Sequence, residues 1–212
     1  MSAAPYRPED FPATSDVLLR LVREFPAERL TMNDIVTSLQ DRAFGFLMLL
    51  LALPNSLPMP GIPFVSTVTG TPLAFFAGQL ALGSRRPWLP ERLLRQSLGR
   101  AQLLRALEII DPYVKRVERL VRHRWPWLAT GPGERVAAAV AFVLAVILAL
   151  PIPGGNLLPA LAIDFIAFGI IERDGVCVAA GGVLAVIALA VVVLVLELGL
   201  KVGMFLIAKG LF

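Results

Sequence analysis

Asp164 is the one ionisable residue between Val136 and Ile171. An ionised carboxylate at the centre of a bilayer costs about 2.5–3.5 kcal/mol even on lenient insertion scales. Such a group must be neutralised, paired, or turned toward a polar cavity. The chemistry it offers is proton coupling or contact with a polar headgroup. The plainer role is a carboxyl bonded to backbone freed near a turn. Asn55 and Asn156 lie in two Pro- and Gly-rich breaks of the apolar sequence. Their amides both donate and accept, which suits a polar substrate or orphaned backbone carbonyls. Gln79 is placed in one return arm as Asp164 is in the other, so the two are candidates to face each other. Arg42, Arg85, Arg86 and Arg173 flank the apolar runs. Arginine grips phosphate through two parallel N–H donors, so these four are candidate contacts for an anionic headgroup. Equally, they can simply stop the apolar segments at the interface.

Several chemistries are excluded. A single histidine, His123, cannot build a His-cluster metal site, and a single cysteine, Cys177, cannot build a disulfide framework. No Gly-rich phosphate loop follows a strand, and no pair of carboxylates shares a polar cleft. The expectation is a protein without catalytic residues, resident metal or cofactor.

The elements that must position these residues are apolar. The 212-residue chain is 57% hydrophobic and 17% charged. Soluble domains average roughly 45–50% and about 25%. Residues 43–84, 136–163 and 175–196 carry no charge at all. The expected class is an all-α integral membrane protein. Val176–Leu196 supplies 21 uncharged residues, enough to cross a hydrocarbon core about 30 Å thick. Glu197 and Lys201 then stand four residues apart as a helical pair, and the rest is a tail or an extension of the same helix.

The other two apolar stretches are broken. Ala43–Leu53 ends at Pro54 and Val136–Leu150 at Pro151, each through the tetrapeptide Leu-Ala-Leu-Pro. A turn rich in Pro, Gly and Asn follows each, then a second apolar run, Phe64–Leu82 or Ala160–Ile171. This is an internal repeat of two re-entrant-like hairpins. Two short spanning helices with an external turn are the alternative for each copy. Broken backbone at membrane depth survives only inside protein or beside water, so the two turns are expected to meet or to line a wet cavity. Paired broken segments in two halves point to a transporter-like site. The resulting organisation is amphipathic N-terminal helices over 1–42, hairpins over 43–84 and 136–175 separated by a basic interfacial segment over 85–135, and a membrane helix with its tail over 176–212.

Residues 85–135 hold 12 of the 20 basic residues against five acidic ones, a net +7. Leu and Val recur among the arginines at helical spacing, and Trp88, Trp125 and Trp127 stand at the edges. That pattern favours a membrane surface over nucleic acid, and the positive-inside rule puts it on the cytoplasmic face. Near the N-terminus, Thr14, Ser15 or Asp16 can cap one helix. Thr31 and Asp34 form a capping box for a second, with Ile35, Val36 and Leu39 inward.

Leu30-Thr31, Gln40-Asp41-Arg42-Ala43-Phe44-Gly45, Leu-Ala-Leu-Pro-Asn55 and Gly83-Ser84-Arg85-Arg86-Pro87-Trp88-Leu89-Pro90 together resemble the bacterial exopolysaccharide-synthesis ExoD family. Pro151-Ile-Pro153-Gly154-Gly155-Asn156 and Glu172-Arg173-Asp174-Gly175 extend the resemblance through the second half. Gln40 departs from the small residue expected there. The resemblance implies a multi-pass inner-membrane protein linked to exopolysaccharide production, and supplies no catalytic residues. Joined to the broken hairpins, it leads to an expected role in transporting or flipping a lipid-linked or amphiphilic substrate. The expected partners are membrane lipids, a lipid-linked saccharide or anionic lipid, and a second copy in a homodimer, but no nucleic acid. The alternative is a non-transporting membrane scaffold of an exopolysaccharide-synthesis complex.

Overall fold

The computed structural model describes residues 22, 29–56, 65–101, 104–105, 124–150 and 156–209. The capping at Thr14–Asp16, His123 and residues 102–103 and 106–123 of the basic segment lie outside these residues, as do the centres of both Pro-rich turns.

Thr31 starts α1 (Met32–Leu39) as its spacing predicts. The Asp34 N–H donates to Thr31 Oγ1 at 3.2 Å, and the Thr31 N–H donates to Asp34 Oδ2 at 2.9 Å. Ile35 and Leu39 are buried. A 3₁₀ turn over Gln40–Arg42 leads into α2 (Ala43–Ser56). Gln40 sits at φ 47°, the left-handed region that favours glycine, which accounts for the small residue expected at this position.

The apolar helices are α2, α3 (Val65–Ala81), α4 (Pro132–Ala149), α5 (Leu157–Ile171) and α6 (Gly175–Ala208). Three segments are long and apolar enough to cross a membrane: Met32–Ser56, Pro132–Ala149 and Gly175–Lys201. One boundary differs from the sequence reading and one decides between its alternatives. α2 runs through Pro54 instead of stopping at Leu53, because a proline this close to a C-terminus removes a single helical donor. α6 is continuous to Ala208, so the stretch after Lys201 extends the same helix.

The helices pack as a ring of antiparallel neighbours, α2–α3–α4–α5, with α6 laid against α5. Along the α3–α4 seam, Gly70 meets Ala149, Gly78 meets Phe142 and Gly83 meets Arg135. Along α5–α6, Gly169 meets Val178 and Gly181 lies between Ala162 and Ile166. A β-carbon on Gly70 would stand 2.7 Å from the Ala149 nitrogen, so the absence of a side chain sets that approach, as small residues do between membrane helices. Gly45 of α2 lies against Ala167 and Ile171 of α5. Phe44, Met48, Leu73, Leu144, Leu148, Ile163 and Ile166 fill the centre. α2 and α4 therefore run one way and α3 and α5 the other. Both broken turns leave at one end of the ring, and Asp41, Arg42, Gly83, Arg135 and Arg173 gather at the other.

The described part of the basic segment differs from a continuous amphipathic helix. A helical turn over Glu91–Leu94 gives way to a strand, β2 (Ser97–Gly99), antiparallel to β1 (Arg29–Thr31) with Leu30 opposite Leu98. The Met32 N–H also donates to the Gln96 carbonyl at 2.9 Å. Ser97 and Gly99 are weak helix formers, and the ribbon ties the segment to the start of α1. This small ribbon is an addition to the all-helical expectation.

Candidate functional site

The polar residues of the broken ends meet inside the apolar ring. At the end of α2, Asn55 Nδ2 donates to Thr69 Oγ1 of α3 at 2.8 Å and to its own helix at the Leu51 carbonyl, 3.3 Å. This bond closes the first hairpin. Ser56 Oγ donates to Asp164 Oδ2 of α5, joining the first hairpin to the second, and lies 3.5 Å from the Ala52 carbonyl. Near Pro54 the helix lacks a donor, and these two side chains bond the carbonyls there.

Three buried oxygen atoms remain without a hydrogen-bond partner among the described residues: Asp164 Oδ1, Asn156 Oδ1 and Thr67 Oγ1. Their placement follows the repeat frame. Thr67 stands 13 residues after Pro54, and Asp164 stands 13 after Pro151. The two hairpins thus put an oxygen at the same step of each return arm, a hydroxyl in one and a carboxyl in the other. Asn156 occupies the N-cap position of α5 without capping it. It lies eight residues from Asp164, about 12 Å along the helix, so the two do not form one contact.

Of the sequence candidates, Asn55 and Asp164 belong to one cluster and Asn156 lies at its edge. Gln79 is engaged elsewhere. Its Oε1 accepts from the Trp88 N–H at 2.7 Å and its Nε2 donates to the Trp88 carbonyl at 3.3 Å. It clamps the loop after α3, where Phe75 meets the Trp88 ring edge-on at 5.9 Å. Ser56, Thr67 and Thr69 were not singled out by sequence. The 13-residue offset points to Thr67, and the position directly after Asn55 points to Ser56.

The arginines gather at the opposite end. Arg173 Nη2 pairs with Asp41 Oδ2 at 3.3 Å, linking the end of α5 to the start of α2, where Arg42 follows. Arg85 and Arg86 are exposed beyond α3. The neighbouring Gly83, at φ 87°, lies under the Arg135 guanidinium. Glu172 and Asp174 are buried in the turn before α6, where Asp174 Oδ1 accepts from the Val176 N–H at 2.8 Å. One end of the ring therefore gathers Arg42, Arg85, Arg86, Arg135 and Arg173 together with Asp41, Glu172 and Asp174. The interior offers acceptor oxygens.

Residues 14–194 match the family described as "Exopolysaccharide synthesis, ExoD". Among curated proteins, the chain is 32% identical to Protein ExoD of Rhizobium meliloti (strain 1021) over 171 residues, 79% of this chain and 70% of that one. It is 28% identical over 157 residues to the uncharacterized protein slr1875 of Synechocystis, 74% of each chain. No solved structure matches. A match over most of the chain, reached by two independent routes, makes this protein a member of the ExoD exopolysaccharide-synthesis family.

Proposed function

We propose that this protein moves a lipid-linked or amphiphilic precursor across the bacterial inner membrane in support of exopolysaccharide synthesis, through a polar site between two re-entrant hairpins and without catalysis of its own. The observation that carries the reading is the Ser56–Asp164 bond, which joins the two broken hairpins through the only ionisable side chain of their apolar interior. A carboxylate is costly there, and a cluster at paired broken helices is the arrangement that transporters use for binding.

The relative heights of the helices support re-entrance. Gly181 of α6 is level with Asp164 of α5. From Gly181, α6 runs sixteen residues, about 24 Å, before its first charge at Glu197. The start of α5 is level with residue 188, which leaves about 13 Å of uncharged α6 beyond the hairpin arms. On this reading, α6 crosses the core while the described hairpin arms end within it. α2 and α4 point the same way, so the repeats are related by an axis along the membrane normal.

The amphiphile's phosphate would meet Arg42, Arg85, Arg86 and Arg173 at the cytoplasmic end, and its neutral groups would meet Asn55, Asn156 and Asp164. The test is reconstitution in liposomes with fluorescent lipid-linked saccharide and anionic lipid reporters. Wild-type protein is expected to expose reporter to a membrane-impermeant quencher, and Asp164→Asn to abolish this. Asp164-independent exposure, or none with any reporter, would favour the scaffold role.

A further inference from the structure

We propose that Asp164 and Ser56 form the core of a binding site for a monovalent alkali cation. The inference rests on the reading above, in which Asp164 is the ionisable group of a transport site, and it names the ion.

The Asn55 amide is committed to Leu51 and Thr69, and the Ser56 hydroxyl to Asp164. Asp164 Oδ1 is buried with no partner among the described residues, as is the Thr67 hydroxyl oxygen. Residues 43–84, 136–163 and 175–196 contain no lysine or arginine, so neither the hairpins nor the facing stretch of α6 supplies a countercharge. An anionic group would meet repulsion. A proton on Oδ2 can be donated to Ser56, whose hydroxyl then turns to the Ala52 carbonyl, but Oδ1 still has no partner among the described residues. A cation takes Oδ1 directly and keeps the Ser56 bond.

The available oxygens suit a hard ion. Hydroxyl, carboxylate and carbonyl oxygens are the ligands of such cations. The last four carbonyls of a helix have no helical donor, and Pro54 withdraws the donor that Leu50 would otherwise receive. α2 ends beside Asp164, and membrane transporters coordinate sodium with unwound carbonyls and helix C-terminal ends. The single carboxylate balances one positive charge, which selects an alkali ion over calcium or magnesium.

The test is thermal unfolding of the full-length protein in lipid nanodiscs, in sodium, lithium, potassium or choline chloride at equal ionic strength. At least one alkali ion, sodium first, is expected to raise the midpoint saturably above that in choline. Asp164→Asn should abolish the rise, and Ser56→Ala, which keeps the carboxylate, should shift half-saturation at least tenfold higher. Midpoints in choline near the wild-type value show that the variants fold, and a variant failing this check is replaced by Asp164→Glu, expected to bind with altered ion preference. Equal midpoints in all four salts, or a rise that persists in Asp164→Asn, overturn the proposal. So does Asp164-dependent stabilisation by a soluble disaccharide with no alkali effect. A cation response without lipid movement removes the transport reading alone. Asp164-dependent lipid movement at the same rate in choline removes the cation alone.

Discussion

The depth of the hairpins is measurable, and its value follows from helix register. Gly181 lies between Ala162 and Ile166, and α5 and α6 are antiparallel. Leu157, seven residues before Asp164, is then level with residue 188, seven after Gly181. Ile187 is 46% exposed, Leu157 42% and Leu200 67%, so each accepts a nitroxide label after replacement of Cys177. Ile187 and Leu157 should report the same depth to within about one helical turn, about 5 Å. Leu200 is thirteen residues beyond Ile187, about 20 Å farther along α6. Power saturation with oxygen and a polar nickel chelate, in lipid bilayers, reads this difference. The labels at Leu157 and Ile187 should be accessible mainly to oxygen and the label at Leu200 to the chelate. A Leu157 label matching Leu200 would mean that the hairpins reach the far interface, and would refute re-entrance.

Three further outcomes follow from individual contacts. Asn55→Ala removes two hydrogen bonds, one within α2 and one that closes the first hairpin; at about 1 kcal/mol each, it should cost about 1–3 kcal/mol and lower the melting midpoint in nanodiscs. Gly181→Leu puts a β-carbon 2.7 Å from Ile166 Cγ1 and 2.9 Å from the Ala162 carbonyl. Overpacking of this kind costs about 1–3 kcal/mol, to be read in the same assay, while Gly182→Leu, with nothing within 4 Å, should be close to neutral. Asp41→Asn breaks the 3.3 Å pair with Arg173, but Asp41 is exposed and such pairs contribute about 0–1 kcal/mol, so the midpoint should barely move from the wild-type value in the same salt.

The parts legible in the sequence were those governed by local rules. The Thr31–Asp34 box, the apolar length of α6 and the Glu197–Lys201 pair, at 3.9 Å, each depend on residues within one or two turns. The parts that were missed depend on partners distant in the chain. Ser56 is an ordinary serine until α5, 108 residues later, brings Asp164 to it. Gln79 sits in α3, the return arm that corresponds to α5, yet the loop after α3 folds back and presents the Trp88 backbone to it. The strand at Ser97–Gly99 interrupts a helical pattern because Arg29–Thr31 pairs with it, and no periodicity within 85–135 encodes that partner.

The repeat frame explains why the site holds a single carboxylate. Aligning Pro54 with Pro151 sets Asn55-Ser56 against Ile152-Pro153, and Thr67 against Asp164. The first copy carries the donors and the second carries the acid. The near-symmetric counterpart would place an acid at position 67 against Ile152-Pro153, which offer no side-chain donor. A carboxylate there would carry the cost of intramembrane charge without a serine to bond it. With a neutral hydroxyl at that step, the ring of four helices has only one such charge to balance. That charge sits where the two hairpins touch, so any ligand neutralising Asp164 bears on the contact between the copies. Relative movement of the hairpins would then be coupled to occupancy of the site through the Ser56–Asp164 bond itself.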